Sequence, residues 1–283
     1  MFIRFIRWWK QWRSEWLDYP LRQGMVWAGR YRIEQFLGMG SYGQAYRCID
    51  LQAGATVLMK RAKPSKRDIA RRMLERESGI MQQLDHPQIP KWLNQAKHRR
   101  EASLIMAFVD GDNLEQLIMG QGRTYTQLEG LFIVRQLLAP LKHLHEAGFV
   151  HRDVRIPNVL ASGERIGLID FGLACRIGEE QPDERQKMAE DGEPSGFADS
   201  WGAVKQQMRY PYPSSDLYGL GHLFLFLMYA GYVAEDGQEE LGWEEELVLE
   251  PAVKGFVRGL LEKRWQAAAE CERELAAILD GRQ

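Results

Sequence analysis

The chain has 283 residues, 37 of them basic and 39 acidic, for a net charge of −2. Hydrophobic residues make up 45% and charged residues 27%, which excludes collagen-like, disordered and coiled-coil classes and argues against nucleic-acid binding through bulk charge. A chain this long can bury a sizeable core unaided. Its three cysteines, Cys48, Cys175 and Cys271, are far apart; neither a zinc site nor a disulfide framework is indicated, and a reducing, cytoplasmic compartment is expected.

Residues 1–27 are basic and hold five of the nine tryptophans. At helical spacing Phe2, Phe5, Trp8, Trp9, Trp12 and Trp16 share one arc, with Arg4, Arg7, Lys10 and Arg13 opposite. Two readings stand. One is an interfacial helix that meets an anionic membrane surface through residues 2–17, giving a cytoplasmic protein held peripherally at the membrane. The other is a helix whose aromatic face packs on the protein's own body. Six basic and two acidic side chains in residues 1–30 mildly favour the first. The interspersed basic residues leave no continuous apolar core of a secretory signal.

Tyr31–Phe36 alternates as a strand and runs into Gly38-Met-Gly40-Ser41-Tyr-Gly43. Ala45–Cys48, Thr56–Met59 and Ser103–Val109 are further strand candidates. Arg67–Leu84 has helical spacing, and Leu128–Glu146 reads as a helix ending at Gly148. Residues 178–209 are polar and resemble a long loop. The run Leu217–Val233 is apolar but holds His222 and three glycines; a buried core helix fits it better than a membrane span.

The chemistry is carried by four short patterns. The glycine triplet lets a backbone approach phosphates, but it continues as strand and not as helix, unlike a dinucleotide fingerprint. Lys60 follows Val57-Leu58-Met59, so its stem can lie buried while its amine reaches a nucleotide. In His151-Arg152-Asp153-Val154-Arg155-Ile156-Pro157-Asn158, the aspartate can orient a hydroxyl and accept its proton, and the asparagine oxygen suits magnesium. Asp170-Phe171-Gly172 puts a second oxygen ligand after the apolar strand 165–169.

In order and at compatible spacings, these four patterns resemble the eukaryotic-type (Hanks-type) serine/threonine protein kinase family over roughly residues 29–280. The resemblance implies an α+β, bilobal fold: a small antiparallel-sheet lobe with one main helix over 28–107, a hinge at 108–111, and a mainly helical lobe over 112–283. It implies ATP and Mg2+ as cofactors and a protein substrate, with adenine between the lobes. Gly38, Gly40, Ser41 and Gly43 would cover the phosphates, while Ala45, Met106, Phe108 and Val109 would line the adenine site. Lys60 would hold the phosphates and pair with Glu77, and Glu75 would face elsewhere. Asp153 would position the acceptor hydroxyl; Asn158 and Asp170 would hold magnesium. Arg155 would lie near the γ-phosphate, a planar fork where a point charge is common. Met81, Trp92, His151 and Phe171 would form a stacked spine.

Departures from the family bear on the acceptor. Ala45 replaces the usual valine, and Pro157 follows Ile156 where Lys-Pro is usual. No Ala-Pro-Glu occurs between Gly172 and Asp216, which leaves the partner of Arg264 open. No threonine occurs in residues 173–216, so a phosphate for Arg152 would come from Ser195, Ser200, Tyr210, Tyr212, Ser214 or Ser215. Two alternatives stay open on the same scaffold: a small-molecule or lipid kinase, and a nucleotide-binding pseudokinase-like module. The sequence leaves oligomeric state undetermined.

Overall fold

A computed structural model describes residues 17–99, 101–179, 198–233 and 241–281. The amphipathic helix expected over residues 2–16 lies outside them. So do Ser195 and most of the polar stretch after Gly178.

The chain divides into two units, with Asp110 ending the first and Gly111 beginning the second. The first is built on a six-stranded antiparallel sheet in the order β1-β2-β3-β4-β6-β5. Its strands are β1 (Val26–Trp27), β2 (Tyr31–Met39), β3 (Gly43–Asp50), β4 (Ala55–Ala62), β5 (Trp92–His98) and β6 (Glu101–Ala107). Helix α1 (Arg67–Met81) follows β4. Alternation along β3 and β4 sends Tyr46, Cys48, Val57 and Met59 to one face of the sheet, where they join Trp27 and Tyr31 in a buried cluster with Leu21 packed against it. Lys60 and Ala45 therefore point to the other face. On α1 the buried residues Ala70, Leu74, Glu77, Ser78 and Met81 repeat every three or four positions. Glu77 is a carboxylate set within that stripe.

Residues 17–27, which composition groups with the preceding basic segment, are folded onto this sheet through β1 and Leu21. Strand β5 has no counterpart in the sequence reading. It is an edge strand whose side chains are mostly half-buried, so Asn94, Gln95 and Lys97 blur the alternation.

The second unit is mainly helical: α2 (Gln127–Glu146), α3 (Ala198–Met208), α4 (Pro213–Tyr229), α5 (Trp243–Glu246), α6 (Pro251–Leu261) and α7 (Ala268–Asp280). Short strands β7 (Asp112–Asn113), β9 (Val159–Ser162) and β10 (Arg165–Leu168) form one small sheet, while β8 (Phe149–Val150) pairs with β11 (Cys175–Arg176). Helix α2 starts at a capping box, in which Thr126 Oγ1 accepts from the Glu129 backbone and the Glu129 carboxylate accepts from Thr126 N at 2.8 Å. It ends before Gly148, whose φ is +85°.

Helix α4 is buried against α2, α3 and α6, which accounts for the apolar run at 217–233. Among the described residues no helix is long and apolar enough to cross a membrane. Helix α3 falls where a loop is expected. Val204 and the buried Met208 stand one turn apart and the helix packs on α4, but this short apolar stripe follows a long polar stretch that masks it in the sequence.

Candidate active site

In the first unit, Gly38 pairs with Ala45 across the β2–β3 hairpin, and Gly40 N donates to Gly43 O at 2.9 Å, closing a tight turn with Ser41 exposed at its tip. A Cβ on Gly43 would lie 3.3 Å from Lys60 Cε, so the glycine leaves room for the lysine stem. Lys60 sits inside β4, two residues before its end, between Ala45 on β3 and Leu104 on β6. Its Nζ is 2.8 Å from each carboxylate oxygen of the buried Glu77. Glu75 is exposed and pairs loosely with Lys97 at 4.0 Å.

Met106 is buried at the end of β6, and Phe108 and Val109 beyond it are half-buried, with the Arg47 guanidinium 5.2 Å over the Phe108 ring. Trp92 Nε1 donates to Ser78 Oγ at 2.9 Å, joining β5 to α1 beside the buried Met81.

In the second unit the loop after β8 is held from beneath by one carboxylate. Asp216, near the start of α4, accepts from Arg152 N at 2.7 Å through Oδ1 and from His151 N at 2.8 Å through Oδ2. His145 Nε2 lies 2.8 Å from the same Oδ2. Burial would push the Asp216 carboxyl up. The His145 hydrogen bond, electrostatic interaction with the His145 and His151 imidazoles and the backbone N–H of His151 outweigh burial and hold it below its ordinary value.

Gly219, one turn along α4, lets the helix approach Val154; a Cβ there would sit 3.0 Å from Val154 O. His151 Nδ1 accepts from Asp153 N at 3.3 Å, so Nε2 carries the proton and donates to Ile169 O at 3.1 Å. The imidazole meets Phe171 edge-on at 4.9 Å. It thus ties the Asp153 loop to the Asp170 turn.

The Asp153 carboxylate is clamped on both oxygens. Arg155 Nε donates to Oδ1 at 2.6 Å, Arg155 Nη2 to Oδ2 at 2.9 Å, and Asn158 Nδ2 to Oδ2 at 2.7 Å. Burial works to lower the Arg155 pKa, but its hydrogen bonds to Asp153 and the charges on Asp153, Asp170 and Glu115 raise it. Asp170 has φ 62° and ψ 79°, a left-handed backbone that costs free energy for a non-glycine residue, and its Oδ1 accepts from Gly172 N at 3.1 Å. A cavity of about 200 Å3 adjoins Arg155, lined also by Ile156, Pro157, Met119, Leu223 and Phe226.

These donors fit a nucleotide and a divalent cation. Asn158 spends its nitrogen on Asp153, so its hard amide oxygen is the atom that could meet a cation, and Asp170 carries a second oxygen on a strained turn. Among the described residues no three His, Cys, Asp or Glu side chains converge as an all-protein metal cage. Magnesium needs none, because it keeps waters and takes one or two carboxylates plus phosphate oxygens.

Arg152, expected to receive a segment phosphate, is buried, and its Nε and Nη1 donate to the carbonyls of Arg209 at 2.6 Å and Leu173 at 3.2 Å. Ser214 and Ser215 are buried, and Ser215 Oγ donates to the Tyr210 and Tyr212 carbonyls at 2.5 and 2.7 Å. Both serines are thus withdrawn from solvent, whereas Tyr210 and Tyr212 are exposed. The Arg264 guanidinium lies 5.4 Å over the Trp265 ring. The sequence reading gave no role to His145 or Asp216. The signal for Asp216 was present, as an acid opening an apolar run that folds as a buried helix.

The first unit thus carries a glycine hairpin beside a buried Lys–Glu pair, and the second carries a clamped loop aspartate and a strained Asp-Phe-Gly turn, the parts expected of a nucleotide-dependent phosphotransferase. The protein kinase domain family matches residues 31–280, and the chain belongs to that family. It is 29% identical over 262 residues to the probable serine/threonine-protein kinase YbdM of Bacillus subtilis, covering 91% of this chain and 93% of that protein. It is 32% identical over 170 residues to the serine/threonine-protein kinase PknJ of Mycobacterium tuberculosis, covering 58% of this chain but only 28% of that protein. The fold is also that of the Mycobacterium tuberculosis PknI kinase domain, with a TM-score of 0.61 at 21% identity over 92% of this chain and 99% of that one. The apo form of PpkA-294 gives a TM-score of 0.65 at 18% identity, covering 90% and 99%.

Proposed function

We propose that this protein transfers the γ-phosphoryl group of ATP, with magnesium, to a serine or threonine hydroxyl of a protein substrate. The observation that carries the reading is Asp153: a carboxylate fixed by Arg155 and Asn158, on a loop whose backbone is anchored by Asp216. The serine/threonine assignment is supported by the names of the similar Bacillus and Mycobacterium kinases.

Each residue has a defined task. The backbone of Gly38, Gly40, Ser41 and Gly43 covers phosphate, Ala45, Met106, Phe108 and Val109 line the adenine, and Lys60, fixed by Glu77, neutralises phosphate charge. Magnesium, when bound, offsets charge on the phosphoryl oxygens, and Asn158 and Asp170 are its protein ligands. Asp153 orients the acceptor hydroxyl and takes its proton. Arg155, with one end on Asp153, supplies positive charge beside the transferred group.

Asp170→Asn should raise the ATP dissociation constant measured with magnesium by about tenfold or more, since one charged ligand is lost, with little change when magnesium is chelated. Equal affinity for Mg-ATP in variant and wild type would remove Asp170 from the metal site.

The charge pattern of residues 2–17 supports a second role, attachment to an anionic membrane surface. Deleting residues 1–16 should abolish co-sedimentation with phosphatidylserine vesicles. Undiminished sedimentation of the truncated protein would end that reading.

A further inference from the structure

Helix α1 carries Glu77 but is poorly equipped to start. Neither Lys66, its N-cap residue, nor Lys63, which precedes the turn Pro64–Lys66, makes a side-chain capping bond. Arg67 adopts a left-handed φ of 41°. Three basic residues thus crowd the positive end of the helix dipole, where acids are favoured, with the exposed Asp68 as the one acid of the first turn.

The turn that leads into the helix is instead held from 47 residues upstream. Asp18, only 6% exposed, accepts from Ser65 N at 2.9 Å through Oδ1 and from Ser65 Oγ at 2.6 Å through Oδ2, with Lys63 Nζ 3.7 Å away. Asp18 is itself held on β3, where its backbone carbonyl accepts from Gln44 Nε2. Gln44 Oε1 accepts from Tyr46 OH at 2.9 Å and Arg61 Nη1 at 2.9 Å, and Tyr46 OH accepts from Leu21 N at 3.1 Å. Gln44 and Arg61 flank the two functional positions Gly43 and Lys60 in sequence. One strap therefore bridges the strand that leaves the glycine turn and the turn that enters α1.

We propose that Asp18 is a positioning residue for phosphoryl transfer: it caps the entry of α1 from the N-terminal segment and so keeps Glu77 on Lys60. The inference rests on the reading that the Lys60–Glu77 pair binds nucleotide phosphate. Without the cap, the basic residues at the helix start repel one another, Ser65 N loses its acceptor, and α1 is free to shift along the sheet. Such a shift breaks the 2.8 Å contact between Lys60 and Glu77.

The test is a double-mutant cycle on full-length protein, reading kcat and KM for ATP alongside thermal unfolding. Asp18→Ala should lower kcat/KM for ATP about fivefold, the loss expected for a helix cap. Asp18→Asn, which keeps one acceptor, should retain most of the activity, and Ser65→Ala should give a smaller loss in the same direction if Asp18→Ala folds poorly. In a Glu77→Gln background, where the pair is already broken, Asp18→Ala should cost nothing further. Multiplying losses, or a lowered unfolding temperature with unchanged ATP kinetics, would reduce Asp18 to a structural role and overturn the proposal. If Glu77→Gln alone left ATP kinetics intact, the reading of the Lys60 pair would fail first, and the proposal with it.

Discussion

Asp153→Asn is expected to lower phosphoryl transfer about a thousandfold while ATP affinity changes by less than about twofold, as expected for a group that stabilises mainly the transition state. The substitution keeps the side chain's shape but replaces one carboxylate oxygen with an NH2 group. That group cannot accept the acceptor proton, and it faces donors: Arg155 covers both oxygens and Asn158 one of them. With the amide oxygen in the Oδ2 position, two of the three donors keep their acceptor and Arg155 Nε loses its own. In the proposed site the nucleotide contacts fall to Lys60, the glycine turn and Asp170, none of which hydrogen-bonds Asp153, while Asn158 keeps its bond to the Asp153 backbone carbonyl. Turnover and equilibrium nucleotide binding, measured on the same preparation, separate the two effects. A variant that turns over at the wild-type rate would remove Asp153 from the chemistry.

Asp216→Ala should be the most damaging single substitution for the helical unit. It leaves the N–H groups of His151 and Arg152 without their carboxylate acceptor and takes the partner from His145. Breaking a buried charge-assisted cluster of this kind costs about 4 kcal/mol, or roughly 10 °C in unfolding temperature. Asp216→Asn should recover little, because an amide offers one acceptor and turns a donor toward an N–H. Activity measured well below the unfolding temperature should also fall, since Asp153 rides on the anchored loop.

The same group sets a pH dependence. The Asp216 carboxyl is held below its ordinary value, so its stabilisation is present above the unfolded-state pKa and is lost as pH falls through the lowered folded-state pKa. Wild-type stability should therefore drop with acid below about pH 4, and Asp216→Ala should show a flatter acid limb. Parallel acid limbs, or an unfolding temperature equal to wild type, would contradict the role given to Asp216.

What the sequence made legible was what is local. The glycine triplet, the lysine after three apolar residues, the His151–Asn158 loop and the Asp170 turn each span fewer than ten residues, and each needs particular side chains in a fixed order. The choice of Glu77 came from the family resemblance, and helix geometry then set Glu75 on another face; residue 77 shares the buried stripe with Leu74 and Met81.

The supports of the site were not legible, because they join distant positions. Asp18 meets Ser65 across 47 residues, and His145 meets Asp216 across 71. No spacing rule links such partners, so even Asp216, marked in the sequence as the acid that opens an apolar run, does not announce what it binds. The role of Arg152 was hidden for a related reason: its partners are backbone carbonyls, which any residue supplies. Edge strand β5 escaped because a half-buried strand carries weak alternation, and helix α3 because its short apolar stripe follows a long polar stretch.

The central claim is phosphoryl transfer onto protein through Asp153. Its most direct test is the intact mass of purified protein after incubation with magnesium and ATP, beside Asp153→Asn treated identically. The account predicts a gain of one or more phosphate masses in the wild type, placed by peptide mapping on serine or threonine, and none in the variant. Equal gain in both proteins, or ATP bound by wild type with no phosphate transferred to itself or to any added protein, would contradict it.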